Sequence, residues 1–295
     1  MIWASGWRLA SAVSNAGGLG LIGSGSMYPD VLRAHIRQCK AATGKPFGVN
    51  VPMLYPDIDK HMQIILEEQV PVVFTSAGNP KTWTGILKEK GITVVHVVSS
   101  SVFAKKAEAA GCDAVVAEGF EAGGHNGREE TTTMVLVPAV AGAVQIPVIA
   151  AGGIATGRQV LAALALGAEG VQVGTRFVAS EEASSHDNFK KAVIASSEGD
   201  TMLSLKKVVP VRLLKNAFSR QVTEAEQRGA GEEELKQLLS KGRAKKGMFE
   251  GDLEEGELEI GQVSALVRDI RPAADIVAGI RREFEEAAQN LLKSL

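Results

Sequence analysis

The sequence is short of cysteine, of aromatic residues and of charge of one sign, and each shortage removes a class of protein. Cys39 and Cys112 are the two cysteines among 295 residues, with neither a disulfide framework nor metal-ligand spacing. Lys and Arg number 32 against 34 Asp and Glu, a net charge of −2. No basic excess is available to hold a phosphodiester backbone, which argues against a nucleic-acid binder. No apolar run approaches the roughly 18 residues of a membrane helix, because Gly, Ser and Asn interrupt each one. Behind Arg8 there is no apolar segment with a cleavage site, as a leader would need. The expectation is a soluble cytoplasmic protein that binds neither nucleic acid nor membrane.

Glycine, in contrast, is plentiful. The 32 glycines exceed the typical share of roughly 7%, while aromatics make up 5%. Many tight turns and few large rings suggest an α/β protein that binds a ligand through its main chain.

Short β-branched runs recur along the first 175 residues: Gly20–Gly23, Phe47–Asn50, Val70–Thr75, Thr93–Val98, Ala114–Glu118, Pro147–Ala151 and Gly170–Gly174. Amphipathic stretches separate them, among them Tyr28–Ala42, Ile58–Glu68, Lys81–Lys90, Val102–Ala110 and Gly157–Leu166. Strands apolar on both faces that alternate with helices predict a parallel sheet covered by helices. Their number and spacing fit a TIM (β/α)8 barrel. The count is one strand short, since Met1–Ala4 is followed directly by a helical pattern over Ser5–Ala16. We therefore expect the first strand to lie outside this sequence.

Residues 1–180 form the expected barrel. Residues 181–260 lose strand patterning and become charged and glycine-interrupted, which predicts a small helical lid or a solvated helical extension. Residues 261–295 carry the amphipathic stretch Ala273–Leu292, expected to return and close the barrel.

In such a barrel the chemistry sits at the C-terminal ends of the strands. Those ends supply Asn50, His96, Glu118, Gly152-Gly153 and Gly174-Thr175, with no carboxylate cluster and no Ser-His-Asp set. Gly152-Gly153 and, nineteen residues on, Gln172-Val173-Gly174-Thr175 would end neighbouring strands. Glycine turns there admit a phosphate to backbone N–H groups and a helix N-terminus; tight turns without a ligand are the alternative. His125, flanked by Gly124 and Gly127 on a strand-end loop, is the candidate to meet a substrate and titrate near neutrality. His96 suits either the core or the barrel mouth, and His35, His61 and His186 read as structural. Lys206, Lys207, Arg212, Lys215 and Arg220 offer a basic face on the extension.

Taken in order, these motifs resemble the FMN-dependent nitronate monooxygenases and their relatives, the enoyl-acyl-carrier-protein reductases of type II. The likeness runs through Ala16–Gly20, Lys45–Asn50, Ala77–Pro80, Glu121–His125, Ile149–Ile154, Gly167–Phe177 and Glu259–Gln262. It implies FMN, with its phosphate at Gly153 and Gln172–Thr175, and Asn50, Glu118 and Gly123 against the flavin. It also implies His125 as the catalytic histidine, and Met1 in place of the family's Gly-Gly-Met turn. Many relatives have Gln where Glu118 stands. Of the two activities implied, we favour NADH- or NADPH-dependent reduction of an enoyl thioester carried by acyl-carrier protein or CoA, in fatty acid synthesis. Oxidation of alkyl nitronates with O2 is the alternative, and a flavin-free binding subunit the second. The likeness further implies a homodimer.

Overall fold

The computed structural model describes residues 1–239 and 242–294. Its strands are β1 (Gly20–Gly23), β2 (Phe47–Pro52), β3 (Val72–Ser76), β4 (Thr93–Val98) and β5 (Ala114–Glu118). They continue with β6 (Gly124–His125), β7 (Val148–Ala151), β8 (Gly170–Gln172), β9 (Thr201–Ser204) and β10 (Val211–Leu214). Among the described residues, β1-β2-β3-β4-β5-β7-β8 form one seven-stranded sheet in that order, every neighbouring pair parallel. All seven coincide with the β-branched runs of the sequence, and helices follow them as in a TIM barrel lacking one strand.

Side-chain alternation sorts each strand into two faces. Val49, Val73, Val94, Val115 and Val148 join one core cluster with the helix residues Ile36, Ile65, Leu87 and Val137. Their neighbours Phe74, Val95, Val116 and Ala151 form a second cluster on the opposite, inward face. The hydrophobicity of both faces follows from this double burial.

At the open side of the sheet, between β1 and β8, backbone pairing gives way to side-chain cover. Gly23 N–H donates to Ser5 O at 2.9 Å, so the first residues lie along β1. The C-terminal helix Ala273–Ser294 lies across helix Gly157–Ala165, where a Cβ on Gly157 would stand 2.1 Å from Phe284 N. Val277, Ile280 and Phe284 of that helix line the interior cavity. The helix thus covers the side of the barrel without completing its sheet.

The extension is largely helical and also carries two short strands where the sequence shows no strand patterning. It holds helices Asp187–Ala195, Ala217–Gln227 and Glu232–Leu239, but also β9 and β10. These two strands pair antiparallel with each other, and β10 also pairs with β6 of the barrel loop. A core of Leu205, Val211, Leu213, Phe218, Val222 and Leu235 sits beneath them. Among the described residues no helix is long and apolar enough to cross a membrane.

Candidate functional site

Three adjacent strands end in register. Glu118 of β5 stands opposite Ala151 of β7, which stands opposite Gln172 of β8. Strand parity turns Glu118 inward with Val116, and turns Asn50 inward between the outward Val49 and Val51. Enclosure raises the Glu118 pKa to about 7, since burial disfavours the carboxylate. Asn50 donates from Nδ2 to Phe74 O at 3.3 Å.

Beyond this row the chain makes glycine turns. Gly152 and Gly153 have φ of +91° and +70°, a left-handed backbone that glycine adopts without strain. A Cβ on Gly152 would lie 2.6 Å from Gly119 O, so the turn packs directly on the neighbouring backbone. No acceptor among the described residues takes the backbone N–H of Gly153 or Gly174. Thr175 opens helix Thr175–Val178, and its Oγ1 accepts from Gly261 N at 3.1 Å.

The loop bearing His125 is fastened twice. Glu121 accepts from Thr133 N at 2.9 Å and from Thr133 Oγ1 at 3.0 Å, satisfying the start of helix Thr133–Ala141. Through β6, His125 pairs with Val211 and Gly124 with Arg212. Asn126 N–H donates to Pro210 O at 2.9 Å. Arg212, read from sequence as part of a basic face, is 2% exposed. It donates from Nε and Nη2 to Phe120 O at 3.0 and 2.9 Å, and so braces the loop. Lys206 pairs with Glu130 at 2.5 Å and Lys207 Nζ donates to Ala230 O at 2.7 Å, so three of the five cations make contacts within the chain.

Two contiguous cavities result. The smaller, about 140 Å3, is lined by Gly152, Gly153, Thr175, Ile154 and Val263. The larger, about 1540 Å3, holds Asn50, Asn79, His125 and Val173 in its wall. Met1, Glu118, Gly123, Gln172, Gly174 and Glu259 line both. The residues that the resemblance places around a flavin therefore border one cavity system together with His125. His96 also borders the larger cavity, but it is 4% exposed on the strand face of Val94 and Val98. Its Nδ1 lies 2.7 Å from Thr75 Oγ1, and burial lowers its pKa to about 4. His61, His35 and His186 make structural bonds to Met27 O, Trp7 N and Asn188 N.

Two functional positions had escaped the sequence reading. Glu121 shows its capping role only once Thr133 is brought beside it. Glu259 opens the Glu259–Gln262 motif with nothing in the sequence to direct its side chain, and its carboxyl lies where a Cβ on Gly124 would be 2.5 Å away.

The site suits an FMN-sized group. Gln172 Oε1 is buried without a hydrogen-bond partner, which in a folded protein signals an acceptor kept for a ligand or water. The free N–H groups of Gly153 and Gly174 are donors fit for a phosphate.

Comparison with known proteins bears on the same residues. The nitronate monooxygenase family model matches residues 1–60 and 53–283. The (3aS,4S,5R,7aS)-5-hydroxy-7a-methyl-1-oxo-octahydro-1H-indene-4-carboxyl-CoA dehydrogenase of Rhodococcus jostii is 39% identical over 206 residues. That match covers 70% of this chain and 58% of the dehydrogenase, so the chain spans less than two thirds of that relative. A nitronate monooxygenase of Paraburkholderia phytofirmans is 32% identical over 96% of this chain and 90% of its own length. Among solved structures, FabK from Thermotoga maritima superposes with a TM-score of 0.95 at 45% identity, covering 100% of this chain and 94% of its own.

Proposed function

The chain belongs to the nitronate monooxygenase family, and from that premise we propose that it is an FMN-dependent oxidoreductase reducing the double bond of an enoyl thioester. The observation that carries this reading is the union of a glycine-lined cradle and a much larger cavity that has His125 in its wall. FMN supplies the acceptance and delivery of hydride, with NADH or NADPH as the source.

The protein's own groups provide position and protons. Gly153, Gly174 and Thr175 hold the phosphate through backbone N–H groups, and Gln172 Oε1 accepts from a ligand N–H. His125 lies on the β6–β10 pair, which fixes its backbone. From there it hydrogen-bonds the thioester carbonyl or delivers the proton that the α-carbon needs. Asn79, whose Oδ1 is bound to Lys81 N at 3.1 Å, borders the same cavity and shapes the path of the acyl chain.

The 45% identity to FabK over the whole chain supports the reductase. A coenzyme A ester in the name of the Rhodococcus relative supports a thioester substrate. Oxidation of alkyl nitronates is the second reading, favoured by the Paraburkholderia relative, which matches 96% of this chain. Anaerobic stopped-flow of FMN-loaded protein separates them. Bleaching near 450 nm by NADH or NADPH, reversed by an enoyl thioester, is the expected result. Bleaching by propyl-3-nitronate alone would replace the reductase with the monooxygenase.

A further inference from the structure

Among the described residues, the lysines and arginines in the wall of the larger cavity are Lys81, Lys106 and Arg281. Arg281 is already engaged, its Nε 3.0 Å from Glu285 Oε1 on the same helix. Lys81 and Lys106 form no ion pair among the described residues, whereas Lys88 of helix Thr84–Glu89 pairs with Asp113. Both free lysines are exposed, and they belong to elements that touch. Lys81 lies in the turn Pro80–Thr82 after β3, and Lys106 in helix Ser101–Ala109 after β4. The turn is fixed at its start, where Asn79 Oδ1 accepts from Lys81 N at 3.1 Å. The Lys106 ammonium lies 5.4 Å from the centre of the Phe103 ring, which borders the same cavity.

These two lysines stand apart from the glycine cradle. The smaller cavity takes no residue from β2, β3 or β4 or from the turns after them. In the sheet order β5, whose following loop bears His125, lies between β4 and β7. The larger cavity, about 1540 Å3, also exceeds the roughly 300–1,000 Å3 of a typical small-molecule site, which leaves room for an elongated compound beside FMN. We propose that Lys81 and Lys106 form a rim that binds the phosphate of a phosphopantetheine thioester while its acyl end reaches His125. An ammonium group meets a phosphate as a point charge with three donors. At an exposed rim it escapes the cost of burying a charge. Glu129, whose Oε2 lies 3.5 Å from Ser99 Oγ in the same wall, leaves both lysines unpaired. The inference rests on the thioester reading above, and it goes further by naming where the carrier is held.

The test is calorimetric titration of the FMN-loaded protein with two probes that differ by one phosphate, crotonyl-phosphopantetheine and crotonyl-pantetheine. At low salt the native protein should bind the phosphorylated probe at least about tenfold more tightly, since each exposed ammonium contributes up to about fivefold. The preference should shrink as salt rises and screens the rim. Lys81→Gln and Lys106→Gln should each lower the ratio, and the double variant should bring it within about twofold. Lys106→Arg should retain it, as should Lys45→Gln, whose site precedes β2 at the other end of the barrel. Equal binding of both probes to the native protein, binding of neither, or an unchanged ratio in the double variant would overturn the rim. So would a double variant that loses affinity for NADPH and keeps it for the phosphorylated thioester. The reductase reading is tested apart from the rim, by FMN-dependent reduction of crotonyl-pantetheine, which has no phosphate for the lysines to hold.

Discussion

The Glu121 carboxylate receives both the backbone N–H and the hydroxyl of Thr133, and Thr133 Oγ1 in turn lies 2.9 Å from Gly152 O. One side chain therefore caps a helix through the Thr133 N–H, while the single hydroxyl proton of Thr133 is shared between Glu121 Oε2 and Gly152 O, the two ends of the contact between the His125 loop and the glycine turn. Glu121→Ala should lower stability by about 1–2 kcal/mol, the usual loss when a helix cap is removed. Urea denaturation reads that loss, and flavin affinity should weaken with it. Unchanged values of both would show that Gly152 keeps its place without this link.

Gly124 has φ +76° and faces Glu259. Gly124→Ala combines backbone strain with a collision and should destabilise by about 1–3 kcal/mol. The thermal midpoint measures it. A midpoint equal to the native one would mean that the Glu259 side chain simply swings aside.

For His125 the expected separation is between holding and turning over. His125→Ala should still bind FMN, judged by absorbance near 450 nm, with kcat lowered roughly 10²-fold as for loss of a general acid. Turnover at the native rate would remove His125 from the reaction.

Thr175→Glu would place a carboxylate at the start of helix Thr175–Val178 and lose the bond from Gly261 N. Repulsion between this carboxylate and a phosphate should give colourless protein. A normally yellow preparation would move the phosphate elsewhere.

Two buried groups give opposite pH signatures. Glu118, raised from 4.5 to about 7, keeps a proton that the unfolded chain releases in that window. Its contribution to stability is therefore present below pH 4.5 and lost as pH rises through 7. His96, lowered from 6.5 to about 4, is neutral in the fold where the unfolded chain is protonated. Its contribution is lost as pH falls from 6.5 through 4. Relative to Glu118→Gln, the flavin-free native protein should lose stability between pH 4.5 and 7. Relative to His96→Gln, it should gain stability between pH 4 and 6.5. Urea midpoints across pH 4–8 give both differences, and parallel curves would refute the assignments.

How far the sequence reveals this arrangement depends on the range of the interactions. The seven parallel strands were legible because each is apolar on both faces and closed by small residues. Period two, counted from Val49, Val116 and Ala151, then suffices to turn Asn50 and Glu118 inward. The strands β9 and β10 were not legible, being four residues each within a charged stretch. Their partner β6 is two residues long and lies far earlier in the chain. Arg212 reads as a surface cation until Phe120 O and the Phe120 ring, 5.1 Å from its guanidinium, are placed beside it. Glu259 likewise takes its direction from Leu213, a neighbour across a sheet and not along the chain.

The pairing of His125 with Val211 also sets the order in which a newly made molecule becomes complete. All seven parallel strands lie before Gly174, so they can emerge from a ribosome and associate while β10 is still unmade. The loop that carries the histidine then has no strand to lie against. Only after Val211 and Arg212 have been synthesised can that loop form its pairs with β10, so a nascent chain already shaped like a barrel would still lack the β6–β10 ladder.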